Sequence, residues 1–155
     1  MRTKSLAIAA GALLAVLLLL QLLPVRRDNP PVLGDVEAPQ PVKAVLRESC
    51  YDCHSNETRW PWYARVAPVS WWLVREVSEG RQALNFSSWR QLGADKQLEV
   101  LVKVREEILE GEMPPRLYVL GHRSAALEGA HREVLLGWLG DSGASSESAQ
   151  GRDKE

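Results

Sequence analysis

The pentapeptide Cys50-Tyr51-Asp52-Cys53-His54 has the form C-x-x-C-H, and it holds the only 2 cysteines of a 155-residue chain. On a helical turn, residues i and i+3 present their side chains on one face. Two thiols at that spacing can therefore each bond to one vinyl group of a haem, and the next residue can turn its imidazole toward the iron. The motif predicts one haem c held through Cys50 and Cys53, with His54 as the proximal iron ligand. Three other readings use the same residues. A dithiol redox pair belongs at a strand-to-helix junction, and no βαβ pattern surrounds this one. Zinc held by Cys50, Cys53, His122 and His131 would leave 8 residues between the histidines, outside the usual spacing. A local structural disulfide is the third.

If haem is bound, the sixth ligand decides between electron transfer and small-molecule chemistry. Apart from Met1 the chain has one methionine, Met113, in Gly111-Glu112-Met113-Pro114-Pro115. It follows an expected helix end, and two prolines would hold the loop extended so that the sulfur reaches across the haem face. His122 is the competing distal ligand, while His131 falls inside the last expected helix. Between the motif and Met113 lie Trp60, Trp62, Trp71, Trp72 and Trp89, with Tyr63 and Phe86. Indoles supply flat apolar area for a porphyrin, and an N–H for a propionate. Arg59 and Arg65 are candidate propionate partners.

Working outward, the hydrophobic pattern is helical throughout. Val42, Val45, Leu46 and Ser49 recur at helical spacing and lead into Cys50. Pro68 suits a first helical turn, followed by Val69, Trp72, Leu73 and Val77 in a run ending near Leu84. Asp95 is expected to cap a helix with Leu98, Leu101, Val104 and Ile108 on one face, stopped by Gly111. Ser124 is expected to open a last helix carrying Leu127, Ala130, Val134, Leu135 and Trp138. No alternating run makes a strand, so the fold class is all-α.

Leu6 to Leu23 is an 18-residue apolar stretch broken only by Gln21. As a helix it would be about 27 Å long, close to the thickness of a hydrocarbon core. It ends in Leu22-Leu23-Pro24 without the small residues of a cleavage site, so residues 1–23 are expected to remain as a transmembrane anchor. Residues 24–41 hold 5 of the 9 prolines and read as an extended linker. The folded domain is expected at 42–140. Residues 141–155 lack large apolar side chains and read as a disordered tail.

Charge narrows the function. Residues 1–27 carry 4 bases and no acid, which leaves 15 bases and 20 acids for the rest. A mildly acidic domain argues against nucleic acid as partner and does not call for an anionic membrane surface.

The stretch from Cys50 to Trp89, CYDCHSNETRWPWYARVAPVSWWLVREVSEGRQALNFSSW, resembles the bacterial haem-binding domain family of small monohaem c-type proteins. Met113-Pro114, Tyr118, His122 and Ala125 continue the resemblance, which covers about residues 40–140. It implies a cytochrome c-like α fold, covalent haem c and a membrane or periplasmic setting. Asn56, Trp60, Trp62, Trp71 and Trp89 fall on recurring family positions, which implies haem-pocket roles among them.

The expectation is a single-pass protein of the bacterial inner membrane whose domain faces the periplasm, where such thioethers are installed. It would pass single electrons between redox proteins and would not be an enzyme. The alternatives are a haem-based sensor or small catalytic module with a displaceable distal ligand, and an accessory subunit of a larger redox complex.

Overall fold

In a computed structural model, the protein is described over residues 2–150, with side chains as far as Gly140. Helix α1 (Arg2–Leu20) has no buried residue and is long and apolar enough to cross a membrane. The domain is built from α2 (Gln40–Ser49), α3 (Tyr51–His54), α4 (Val69–Ala83), α5 (Ala94–Glu110), α6 (Arg116–Gly121) and α7 (Gly129–Gln150). Short 3-10 turns lie at Trp62–Arg65, Trp89–Gln91 and Arg123–Ala125. Among the described residues no strand forms, and an isolated bridge joins Gly34 to Ser88.

The pattern selects the buried face on α2, but on α4 the expected Val69 and Trp72 are exposed with Ser70 buried instead, and α5 buries Val100 beside the expected Ile108. α2 buries Val42, Val45, Leu46 and Ser49, and α4 buries Ser70, Leu73 and Val77. α7 packs on both α2 and α5, and α3 packs on α4. The centre holds Leu46, Leu135 and Leu139 with a stacked Tyr51–Phe86 pair whose ring centroids are 5.3 Å apart. Each fully buried leucine here contributes about 1.5–3 kcal/mol. Trp89 belongs to this core, packed against Phe86.

Several boundaries differ from expectation. Gly93, not Asp95, caps α5, and Asp95 sits in the first turn, where its charge favours the positive end of the helix dipole. Ser124 lies in a 3-10 turn and the last helix starts at Gly129. Helix α6 follows Pro115 directly, in a stretch outside the four helices that the hydrophobic pattern predicts. The expected tail is helical backbone to Gln150, continuing a helix already nucleated by its packed first half. Residues 151–155 lie outside the described residues.

The segment after α1 is extended, as its prolines dictate, but it does not hang free. Val36 is buried in the core, and Asp35 accepts hydrogen bonds from Tyr51 and Lys43. Leu33 and Gly34 both donate their N–H to Ser87 O, at 2.7 and 3.0 Å. Arg81 ties the same segment to α4. It donates to Ser55 O and Thr58 Oγ1 on one side and to Asp28 O and Asn29 Oδ1 on the other. The composition specifies an extended chain, whereas its acceptors lie tens of residues away in sequence. Arg81→Ala should cost about 2–3 kcal/mol, and amide exchange over residues 28–34 should rise more than elsewhere. Uniform exchange across the domain would show that this segment is held by other means.

Candidate functional site

The functional residues meet where α3 crosses α4 and faces α5. Cys50 closes α2, its N–H bonded to Leu46 O, and the chain re-enters a single helical turn that carries Cys53 and His54. That turn lies so close to α4 that a Cβ on Gly80 would come within 2.8 Å of Cys53 O. The same glycine's carbonyl is 2.9 Å from His54 Nδ1, and Leu84 O is 3.2 Å away. Carbonyls only accept, so Nδ1 carries the hydrogen and Nε2 keeps its lone pair, the tautomer a metal ligand requires. Burial lowers the His54 pKa despite those two hydrogen bonds, which keeps the ring neutral.

Cys50, Cys53, His54 and Met113 all line one cavity of about 420 Å³, a size in the range of cofactor pockets. Its walls are Ala83 at the end of α4 and Leu84 just after it, Val100, Val104 and Ile108 of α5, and Phe86 and Leu127. Lys96, Lys103, Glu76 and Glu79 supply charged lining. The buried Ser49 hydroxyl, another lining group, has no hydrogen-bond partner.

The thiols are free, not joined in a disulfide. Burial pushes the Cys50 thiol up to about 12 and the Cys53 thiol up to about 11, with the Asp52 and Glu76 carboxylates adding to the rise at Cys53. Both therefore stay protonated near neutral pH, unlike the reactive thiolate of a dithiol redox pair. Zinc is not accommodated either. His131 is exposed on α7, and among the described residues no three His, Cys, Asp or Glu side chains converge on a metal position.

Met113 reaches the cavity through a defined turn. Gly111 adopts φ 76°, ending α5, and the N–H groups of Gly111, Glu112 and Met113 all turn back to Glu107 O. On the far side of Pro114-Pro115, Tyr118 donates to Asp52 Oδ2 at 2.8 Å, tying α6 to the middle of the C-x-x-C-H motif. Burial and Asp52 raise the Tyr118 pKa, so its hydroxyl remains a donor.

His122 lies outside this cavity. Its ring stacks on Tyr118, Nδ1 donates to Tyr118 O at 3.1 Å, and Nε2 is left to accept from the Tyr63 hydroxyl at 3.3 Å. With both nitrogens engaged, it is not placed to ligate.

The tryptophans are also not brought to the cavity. Trp60 lines a small separate cleft beside Tyr63 and His122, Trp62 is exposed, and Trp71 and Trp72 are not among the cavity walls. Asn56 is a structural link: it donates to Pro31 O, accepts from Asn85 Nδ2, and receives the Ser87 hydroxyl oxygen as acceptor for its own N–H. Arg59 pairs with Asp52, and Arg65 is exposed on its 3-10 turn. The cations at the cavity are instead Lys96 and Lys103, one on each side of Glu99 along α5. Sequence reading missed these lysines, Gly80 and the Val100 wall. The α5 periodicity marked a face there without telling which residues would turn to a cofactor.

An all-α domain that gathers two thiols, a neutral imidazole and a thioether around an apolar cavity has the donor set of a haem protein. The chain belongs to the haem-binding domain family, which matches residues 15–141. No curated protein and no solved structure matches it. The residues fit the cofactor: Cys50 and Cys53 would hold its edge, His54 and Met113 would face its iron, and the aliphatic walls would exclude water.

Gly80→Ala tests the close contact directly. Overpacking against Cys53 O should cost about 1–3 kcal/mol and displace α3, so haem content per chain should fall. Unchanged haem content and thermal stability would mean that α4 can yield without moving the motif.

Proposed function

We propose that this is a membrane-anchored monohaem c-type cytochrome that carries single electrons on the periplasmic side of a bacterial inner membrane. One observation carries the reading: Cys50, Cys53, His54 and Met113 line a single apolar cavity, with His54 Nδ1 committed to backbone carbonyls. Cys50 and Cys53 would hold the haem at its two vinyl groups, each S–H adding across one of them. Sulfur would go to one vinyl carbon and hydrogen to the other, with no leaving group. Thiols that stay protonated until attachment suit that addition. When bound, the haem would supply an iron that exchanges one electron, and His54 and Met113 would be its protein donors in a low-dielectric surround. With both donors in place no position would be left open for substrate, which favours a carrier over an enzyme. α1 fits an uncleaved span, with the thioethers formed where the domain emerges.

The alternative of a sensor or small catalytic module rests on Met113 itself, which is 37% exposed in a loop and so is the more displaceable of the two donors. The test is the visible spectrum of the haem-loaded protein, reduced and then exposed to carbon monoxide. An unchanged low-spin c-type spectrum supports the carrier. A shifted Soret band supports the sensor or catalytic module. Co-purification with a membrane oxidase would instead favour an accessory subunit.

A further inference from the structure

The end of α1 is fastened to one particular loop of the domain. Gln21 lies just past the helix, and its side-chain amide grips the backbone of Ala67 from both sides. Oε1 accepts from Ala67 N at 3.0 Å, and Nε2 donates to Ala67 O at 3.2 Å and to Leu17 O at 2.8 Å. Arg27 adds a bond to Ala64 O at 3.2 Å. The segment from Pro61 to Pro68 therefore sits where the apolar helix ends.

Around that anchor point the surface is apolar and aromatic. Trp62 is 78% exposed, Val66 42%, Val69 41% and Trp72 43%. None of these four side chains lines the haem cavity. Arg26, Arg27 and Arg65 are exposed in the same two segments. Tryptophan combines a large apolar ring with one N–H donor and collects where hydrocarbon meets headgroups, while arginine pairs with phosphate. A cluster like this on a domain surface marks an interaction site. Its continuity with a spanning helix identifies the occupant.

We infer that Trp62, Val66, Val69 and Trp72 form a docking face that lies in the headgroup layer of the bilayer that α1 spans, with Arg26, Arg27 and Arg65 on lipid phosphates. This rests on the reading of α1 as a retained membrane span. Docking fixes one face of the domain against the membrane, so the haem is presented at a set height and tilt. The acidic character of the domain as a whole does not oppose this, because the surface concerned carries bases.

The test uses the full haem-loaded chain in vesicles of phosphatidylethanolamine and phosphatidylglycerol. Its two native cysteines are consumed by haem, so a single introduced cysteine can carry an NBD fluorophore. Trp62→Cys and Trp72→Cys report the face, and Val102→Cys, exposed on α5, is the reference. When part of the lipid carries a shallow nitroxide group, fluorescence at 62 and 72 should fall by at least half while that at 102 changes little. Equal quenching at all three positions, in a chain that stays with the vesicles through a carbonate wash, would overturn the docking face and leave the anchor standing. Release by the wash, or a mass showing loss of residues 1–23, would overturn both together.

Discussion

Replacing His54 by alanine should abolish the low-spin spectrum of the loaded protein while leaving one haem mass bound to the polypeptide. The two effects separate because attachment and ligation use different residues. Cys50 and Cys53 are untouched by the change, whereas the imidazole whose Nδ1 is spent on Gly80 O and Leu84 O is gone. His122→Ala and His131→Ala should keep the low-spin bands, since one ring is stacked on Tyr118 and the other is exposed. A low-spin spectrum that survives His54→Ala would remove the proximal assignment. The ring also gives a pH signature in the haem-free chain. Burial holds its pKa below the ordinary 6.5, so the unfolded state takes up the proton first. Its contribution is present above pH 6.5 and is lost as pH falls toward the lowered folded value. Denaturant midpoints should decline through that window in the parent and less so in His54→Ala, measured on chains prepared without haem.

What could be read in the sequence was what depends on near neighbours along the chain. The C-x-x-C-H spacing is set by one helical turn, and the α2 face from Val42 to Ser49 follows from helical repeat alone. Gly111 was legible as a stop because only its left-handed backbone is needed there. The tryptophans were not assignable in this way. Trp62 and Trp72 could equally have turned inward, and which way each ring faces is set by tertiary packing that helical repeat does not encode. The same limit applies to the proline-rich segment. Its extension is local, but its docking depends on Asn56, Arg81 and Ser87, none adjacent to it in sequence. Asn56 shows a further separation. Its family position implied a place at the haem, while its hydrogen bonds place it as the joint between that segment and the Asn85–Ser88 turn. A residue can matter to a haem domain by closing the fold behind the site.

Met113→Ala should turn a carbon monoxide-insensitive protein into one that binds the gas stoichiometrically when reduced, and should lower the reduction potential. The direction of the potential shift follows from the ligand: a soft thioether favours the reduced iron, and water or an empty position does not. The structure also says what holds that sulfur in place. One side of its loop is fixed by three N–H groups on Glu107 O, and the other by the Tyr118 hydroxyl on Asp52. Tyr118→Phe removes only the second hold, leaving the thioether present but its loop freer. Carbon monoxide should then bind this variant partially, with the low-spin bands retained in its absence. That intermediate response separates a positioning tyrosine from one that only stabilises the fold, since a general loss of stability would lower the unfolding temperature without admitting the gas. If Met113→Ala leaves both spectrum and potential unchanged, the distal ligand is another group. His122 would then have to leave its stack on Tyr118 and its bond to Tyr63 to serve. Tyr63→Phe, which weakens that hold, would in that case strengthen distal ligation.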